Sequence, residues 1–206
     1  MDEIPGTNAL AGRTAGSPAG GYTITFREVT GRGMIDLRGR GGDKKFLAAA
    51  KEVLGFALPA SPRTSAGSGD VTALWLSIDQ WLITLPLETC AQTLEALRKA
   101  TSRLHVLATD LSDARTIIRL EGDNVREVLM KGTSVDFTLP GFGAGTVRRM
   151  LFAEIAAMAH IVGTGPDVVD LYVFRSYADY AWEWLEATAG ENARVTLFGV
   201  QDPPPT

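Results

Sequence analysis

The chain has 206 residues, of which 45% are hydrophobic and 21% charged, and carries a net charge of −4. Its Lys and Arg residues are dispersed, which excludes the clustered basic surface of a nucleic-acid binder, and no apolar run approaches the roughly 18–20 residues that cross a bilayer. The one cysteine, Cys90, excludes an internal disulfide and a cysteine metal cage; with no basic-then-apolar leader pattern, the expected location is the cytoplasm.

Residues 1–21 are rich in Gly, Ala, Thr, Ser and Pro without an apolar period, and are expected to form a flexible arm, free or ordered on a partner subunit. A first α+β half spans residues 22–103. Tyr22–Glu28 alternates as a strand, and Met34–Arg38 is another. After the glycine turn Gly39–Gly42, Asp43 caps a helix that runs to about Gly55, with Phe46, Leu47, Ala50, Val53 and Leu54 as its inner stripe. Leu58–Asp70 reads as a loop. Val71–Ser77 and Gln80–Leu85 form a hairpin around Ile78-Asp79, and Glu88–Thr101 is a second helix.

A second α+β half spans residues 104–200, followed by an irregular tail over 201–206. Leu104–Leu111 and Arg115–Leu120 read as strands, and Gly122-Asp123 opens a helix that closes near Gly132. Leu139–Gly145 is read as a mobile loop, then Val147–Ile155 and Ala156–Val162 are extended. Val168–Phe174 is a buried strand. Ser176, with Asp179 three residues on, is expected to cap a helix on which Tyr177, Tyr180, Ala181, Trp184 and Leu185 recur at helical spacing. Val195–Val200 is a closing strand or a surface arm.

The order repeats. Strand, Gly-Asp, helix, loop with proline, hairpin and helix occur from Met34 and again from Arg115. The fold class is therefore α+β, as two tandem ferredoxin-like β-α-β-β-α-β modules.

Candidate chemistry is sparse. Gly39-Arg40-Gly41-Gly42-Asp43 lacks the spacing of a phosphate loop and reads as a turn with a helix cap. His105, in an expected strand, and His160 have no companion ligand at a metal-binding interval and read as core or interface residues. Asp110, Ser112 and Asp113 read as a turn cluster. No catalytic, cofactor-binding or metal-binding residue is assigned. On the last helix Trp182 and Trp184 point ~200° apart. With Tyr180, Trp184 and Leu185 toward the sheet, Trp182 turns outward, either as an interface residue or lying flat over its own module. Arg175, Tyr177, Tyr180 and Trp182 are the candidate partner interface.

The stretch Thr109-Asp-Leu-Ser-Asp-Ala-Arg-Thr-Ile-Ile-Arg-Leu-x-Gly122, then Arg126-x-Val-Leu-x-Lys-Gly132 and Asp136, then Asp170-Leu-Tyr-Val-x-Arg-Ser-Tyr-Ala-Asp-Tyr-x-Trp-x-Trp-Leu185, resembles the γ subunit family of heterotetrameric sarcosine oxidase. The hairpin Leu74–Ile83 is similar to a looser motif of that family. The resemblance covers roughly Met34 to Ala189. It implies a fold similar to part of the folate-binding aminomethyltransferase. It also implies a small subunit without a cofactor of its own, assembled with α, β and δ partners. FAD, FMN, NAD, zinc and tetrahydrofolate are then expected on those partners, and the complex demethylates sarcosine to glycine. Two alternatives stay open: an N-methylglutamate dehydrogenase-like complex, and a stand-alone folate- or pterin-binding domain. The folate-using relatives carry Lys-Gly-Cys-x-Gly-Gln-Glu, whereas here Lys131-Gly132 is followed by Thr133-Ser134.

Overall fold

The computed structural model describes residues 8–13, 22–190 and 193. In chain order the elements are β1 (Thr25–Glu28), β2 (Arg32–Arg38), α1 (Lys44–Leu54), β3 (Ser65–Ser68), β4 (Val71–Ser77), β5 (Gln80–Pro86), α2 (Leu87–Ala100), β6 (Leu107–Asp110), β7 (Arg115–Gly122), α3 (Val125–Lys131), β8 (Val147–Phe152), β9 (Ile155–Gly163), β10 (Asp167–Phe174), a 3-10 turn over Arg175–Tyr177, and α4 (Ala178–Ala189). The strands form two antiparallel sheets, ordered β3-β4-β5-β2-β6 and β1-β7-β10-β9-β8. With the edge strands β3 and β8 set aside, each is the four-stranded sheet of a ferredoxin-like unit. The expected α+β repeat is present.

The sheets exchange their outermost strands relative to the halves expected from sequence. β6, assigned to the second half, pairs with β2 through Ile35↔Asp110 and Arg38↔Leu107. β1, assigned to the first half, pairs with β7 through Thr25↔Glu121 and Glu28↔Ile118. The chain leaves α2 by a short turn and reaches the nearest open edge, beside β2. The corresponding edge of the second sheet is filled from the start of the chain. Val195–Val200, the other candidate for a closing strand, and the 201–206 tail lie outside the described residues. Within the expected arm, residues 8–13 are packed: Leu10 is buried, and the Ala9 and Leu10 N–H groups donate to the Glu28 carboxylate at 3.1 and 3.3 Å. Arg13 reaches Asp179 and Glu183 of α4 at 3.2 and 2.9 Å.

Period-two alternation builds four layers. Ile35 and Leu37 of β2 and Trp81, Ile83 and Leu85 of β5 face α1 and α2, where Phe46, Ala50, Leu94 and Leu97 meet them. Ile118 and Leu120 of β7 and Val169, Leu171 and Val173 of β10 face α3 and α4. The intervening residues, Met34, Leu74 and Leu82 from one sheet and Ile117, Val147, Met158 and Tyr172 from the other, pack together between the sheets.

One end of this middle layer is lined by polar groups that bond each other. Arg119 binds Asp170 in a fork, Nε to Oδ1 at 2.7 Å and Nη2 to Oδ2 at 2.9 Å, across the register pair of β7 and β10. These hydrogen bonds raise the Arg119 pKa against the opposing effect of burial. His160 Nε2 lies 3.0 Å from Ser65 Oγ, which also bonds the Gly145 carbonyl. Ser65 belongs to β3, which occupies part of what the sequence pattern gives as a loop over Leu58–Asp70. β3 forms because its backbone is bonded from two sides. It pairs with β4, and beside it Ser65 N–H donates to Gly145 O and Val147 N–H to Arg63 O, both at 2.8 Å. These bonds join the two sheets.

Asp43 caps α1 as expected, its Oδ1 accepting from Lys45 N–H at 2.8 Å and Phe46 N–H at 3.3 Å, and Gly55 ends the helix at φ 83°. Ser176 does not cap α4. The Arg175 N–H donates to Ala114 O at 3.0 Å, the chain takes a 3-10 turn, and the Ala178 N–H returns to Arg175 O. The backbone thus supplies the bonds expected of the serine. The Leu139–Gly145 loop, expected to be mobile, is pinned instead. Phe142 is buried against Phe137, with ring centroids 5.0 Å apart, and Arg126 donates to its carbonyl at 2.9 Å.

Two outcomes follow from these contacts. Asp43→Ala is expected to cost about 1 kcal/mol in urea unfolding, whereas Ser176→Ala stays within about 0.5 kcal/mol. Burial lowers the His160 pKa below its ordinary 6.5, with Asp170 opposing and Arg119 adding to the shift. The unfolded chain therefore takes up a proton at His160 before the folded chain does. Stability is greatest above the unfolded value and falls as pH drops through it toward the folded value. Urea midpoints measured from about pH 7.5 to 5.5 should fall with acid, and His160→Gln should flatten that slope.

Candidate subunit interface

The candidate surface lies where β10 hands the chain to α4. Phe174 ends β10 on the face toward the other sheet, and the Arg115 guanidinium stacks over its ring at 4.5 Å. Arg175 is half-buried at the start of the 3-10 turn. Tyr177 and Tyr180 are 46% and 45% exposed. Tyr180 Oη donates to Ala153 O at 2.9 Å. That bond holds the turn between β8 and β9, where Ala153 and Glu154 adopt φ of 47° and 72°. Two consecutive non-glycine residues in the left-handed region are strained, and Ala153 is held on its other side by its N–H to Gly132 O at 2.8 Å. Leu151, just before this turn, is 68% exposed.

Trp182 does not belong to this surface. It is 1% exposed and meets Phe26 edge-on, with centroids 4.9 Å apart and planes at 71°. The correction follows from the strand exchange, because β1 supplies the ring that covers the indole. Trp184 is the tryptophan at the flank of α4, half-buried and edge-on to Phe152 at 4.7 Å. A Cβ at Gly132 would stand 2.8 Å from both of those rings, so the glycine is what lets them meet. Arg175, Tyr177 and Tyr180 remain, and the fold adds Phe174 and Leu151. Alternation places Phe174 on the same strand face as Asp170 and Tyr172, but it does not show that this face is uncovered at its end.

The other candidates resolve as packing. His105 is exposed in the bend before β6, not in a strand, and His160 lies in the middle layer on Ser65. Ser112 Oγ donates to Asp110 Oδ1 at 2.6 Å and accepts from Met34 N–H at 3.0 Å, so it closes its own turn and contacts neither histidine. Cys90 is buried, and burial raises its thiol pKa. The glycine turn of Gly39–Gly42 lets the hairpin tip approach closely: a Cβ on Gly41 would collide with the Ile78 carbonyl. Among the described residues no group of three or more His, Cys, Asp or Glu side chains is placed to hold a metal ion. No helix among them is long and apolar enough to cross a membrane.

Comparison with known proteins agrees with the architecture. The model of the sarcosine oxidase, gamma subunit family matches residues 38–191, which takes in most of both modules. The sarcosine oxidase subunit gamma of Corynebacterium sp. (strain U-96) is 29% identical over 182 residues, covering 88% of this chain and 86% of that protein. A chain of the heterotetrameric sarcosine oxidase from Corynebacterium sp. U-96, solved in complex with pyrrole 2-carboxylate, superposes with a TM-score of 0.78 at 25% identity, over 88% of this chain and 91% of that one. The glycine cleavage system aminomethyltransferase T from Bartonella henselae has the same fold over 80% of this chain and 45% of its own, with a TM-score of 0.57 at 16% identity.

The contrast between the core face of α4 and the exposed turn before it is measurable in the isolated chain. Trp182→Ala should lower unfolding free energy by about 3–5 kcal/mol, while Tyr177→Ala should change it by less than about 1 kcal/mol.

Proposed function

This chain belongs to the sarcosine oxidase gamma subunit family, and on that premise we propose that it is the non-catalytic γ subunit of a heterotetrameric sarcosine oxidase. Its role is to support assembly of the complex that oxidatively demethylates sarcosine to glycine, giving hydrogen peroxide with formaldehyde or methylene-tetrahydrofolate. The amine oxidation, and with it FAD, FMN, NAD, zinc and tetrahydrofolate, belongs to the α, β and δ partners in the cytoplasm. The observation that carries this reading is the family match across residues 38–191, and beside it His160, Asp170 and Cys90 are buried and engaged with Ser65, Arg119 and Ser112.

A folate site of this chain's own finds no support at the position that the folate-using relatives mark. Lys131 Nζ donates to Thr188 O at 2.7 Å and Ala193 O at 2.6 Å, and stands 4.2 Å from the centroid of the Tyr22 ring. It anchors the C-terminal end of α4. Burial lowers its pKa, against the opposing field of Glu127.

Co-expression with the α, β and δ subunits tests the proposal. The expected result is co-elution of all four chains in equal amounts. Omitting this chain should leave a complex that is unstable or incomplete. A chain that stays monomeric beside an oxidase that is intact without it contradicts the reading.

A further inference from the structure

The middle layer between the sheets has two ends, and they differ in charge balance. At one end, Arg119 of β7 stands opposite Asp170 of β10 and forms the two-bond fork with it. Four residues back on the same face, Arg115 of β7 stands opposite Phe174 of β10. The place that holds a carboxylate for Arg119 holds a phenyl ring for Arg115. Arg149 of β8 enters the same cleft, which has a volume of about 110 Å³ and is lined by Arg115, Arg149, Phe174, Gln80, Leu76 and Met158 among others.

Among the described residues, neither Arg115 nor Arg149 has a carboxylate within ion-pair distance. The carboxylate whose field reaches Arg115 is that of Asp36, and Arg38 and Gln80 already bind it at 2.8 and 2.7 Å. Burial, and the repulsion of Arg149, lower the Arg115 pKa. Two like charges held at the mouth of a low-dielectric cleft repel each other unless an anion joins them. Exposed apolar side chains stand beside them: Leu151 is 68% and Phe174 39% exposed, and Ala156 is open. An apolar patch around arginine and aromatic anchors is the composition of a protein–protein contact.

We propose that the Arg115–Arg149 cleft receives a carboxylate side chain of another oxidase subunit, whose neighbouring apolar residues cover Leu151 and Phe174. This rests on the γ-subunit reading above and names the partner chemistry for it. Charge complementarity selects the occupant. A chain of net charge −4 presents here a local cationic site without its own counter-charge, so the complementary surface is acidic at its centre. The predicted contact lies at the same end of the second sheet as Tyr177 and Tyr180.

The test is association of the full chain with the co-expressed α, β and δ subunits, measured by titration at about 50 and 300 mM salt, where screening differs strongly. Arg149 and Leu151 are both exposed, so Arg149→Glu and Leu151→Glu leave the fold intact, checked by unchanged thermal unfolding of the isolated chain. Each is expected to weaken association by about 10-fold or more at low salt. The Arg149→Glu deficit should shrink at high salt, and Arg149→Lys should restore most of the affinity. A wild type that assembles, with both Glu variants assembling equally well, overturns this surface and leaves the subunit reading standing. A wild type that does not assemble overturns both. Phosphate that stabilises the isolated chain while Arg149→Glu leaves assembly unchanged marks a free-anion site and overturns the proposal. So does a loss of self-association confined to the isolated variant.

Discussion

The fold depends on two sheets meeting face to face across a layer that is apolar in the middle and ionic at its rim. Met34, Leu74 and Leu82 against Ile117, Val147, Met158 and Tyr172 supply the apolar centre. That contact alone would let the sheets rotate or slip, because burial of apolar area is non-directional. Direction comes from the rim. Ser65 bonds His160 and the Gly145 carbonyl across the sheets and the Val147 N–H bonds Arg63 O, while the fork between Arg119 and Asp170 stiffens β7 against β10 within one sheet. Removing one partner of such a group leaves a buried charge or donor without its bond. That costs more than the intact pair contributes.

The residues on which the family resemblance rests acquire structural roles from this arrangement. Arg126 joins α3 to the Asp167 carboxylate at 2.7 and 2.9 Å and to the carbonyls of Phe137 and Phe142. Lys131 ties α3 to the end of α4. Asp170 and Arg119 pair at one end of the middle layer. Each of these side chains is engaged in holding the fold together. The exception is the opposite end of the layer. There Arg115 and Arg149 lie beside the Phe174 ring with no carboxylate within ion-pair distance among the described residues.

Local signals in the sequence were legible where a residue acts on its own neighbours. Asp43 and Gly55 bound α1 as the cap rules require, and the hairpin around Ile78-Asp79 forms as its alternation suggests. The repeated α+β order was legible too, because each module obeys the same periodicities. What was not legible depends on where a strand goes after it forms. Tyr22–Glu28 reads as a strand in either sheet, and its placement beside β7 is what buries Trp182 under Phe26. Ser176 has the form of a cap, but the bond from Arg175 to Ala114, a contact made 61 residues apart in sequence, replaces it with a 3-10 turn. Of the candidate interface, Arg175, Tyr177 and Tyr180 were visible as polar or amphipathic residues around a helix start. Phe174 and Leu151 were hidden in strands, because an apolar residue at a strand end looks the same whether or not another layer covers it.

Hydrogen exchange of the chain, free and within the assembled oxidase, tests the central claim that this molecule works by docking at one end of its sheet sandwich. The account predicts added protection over residues 148–156 and 174–180, with little change at the other end around residues 68–71 and 162–167. Protection confined to that other end, or an exchange pattern identical in the free and mixed states, would contradict it.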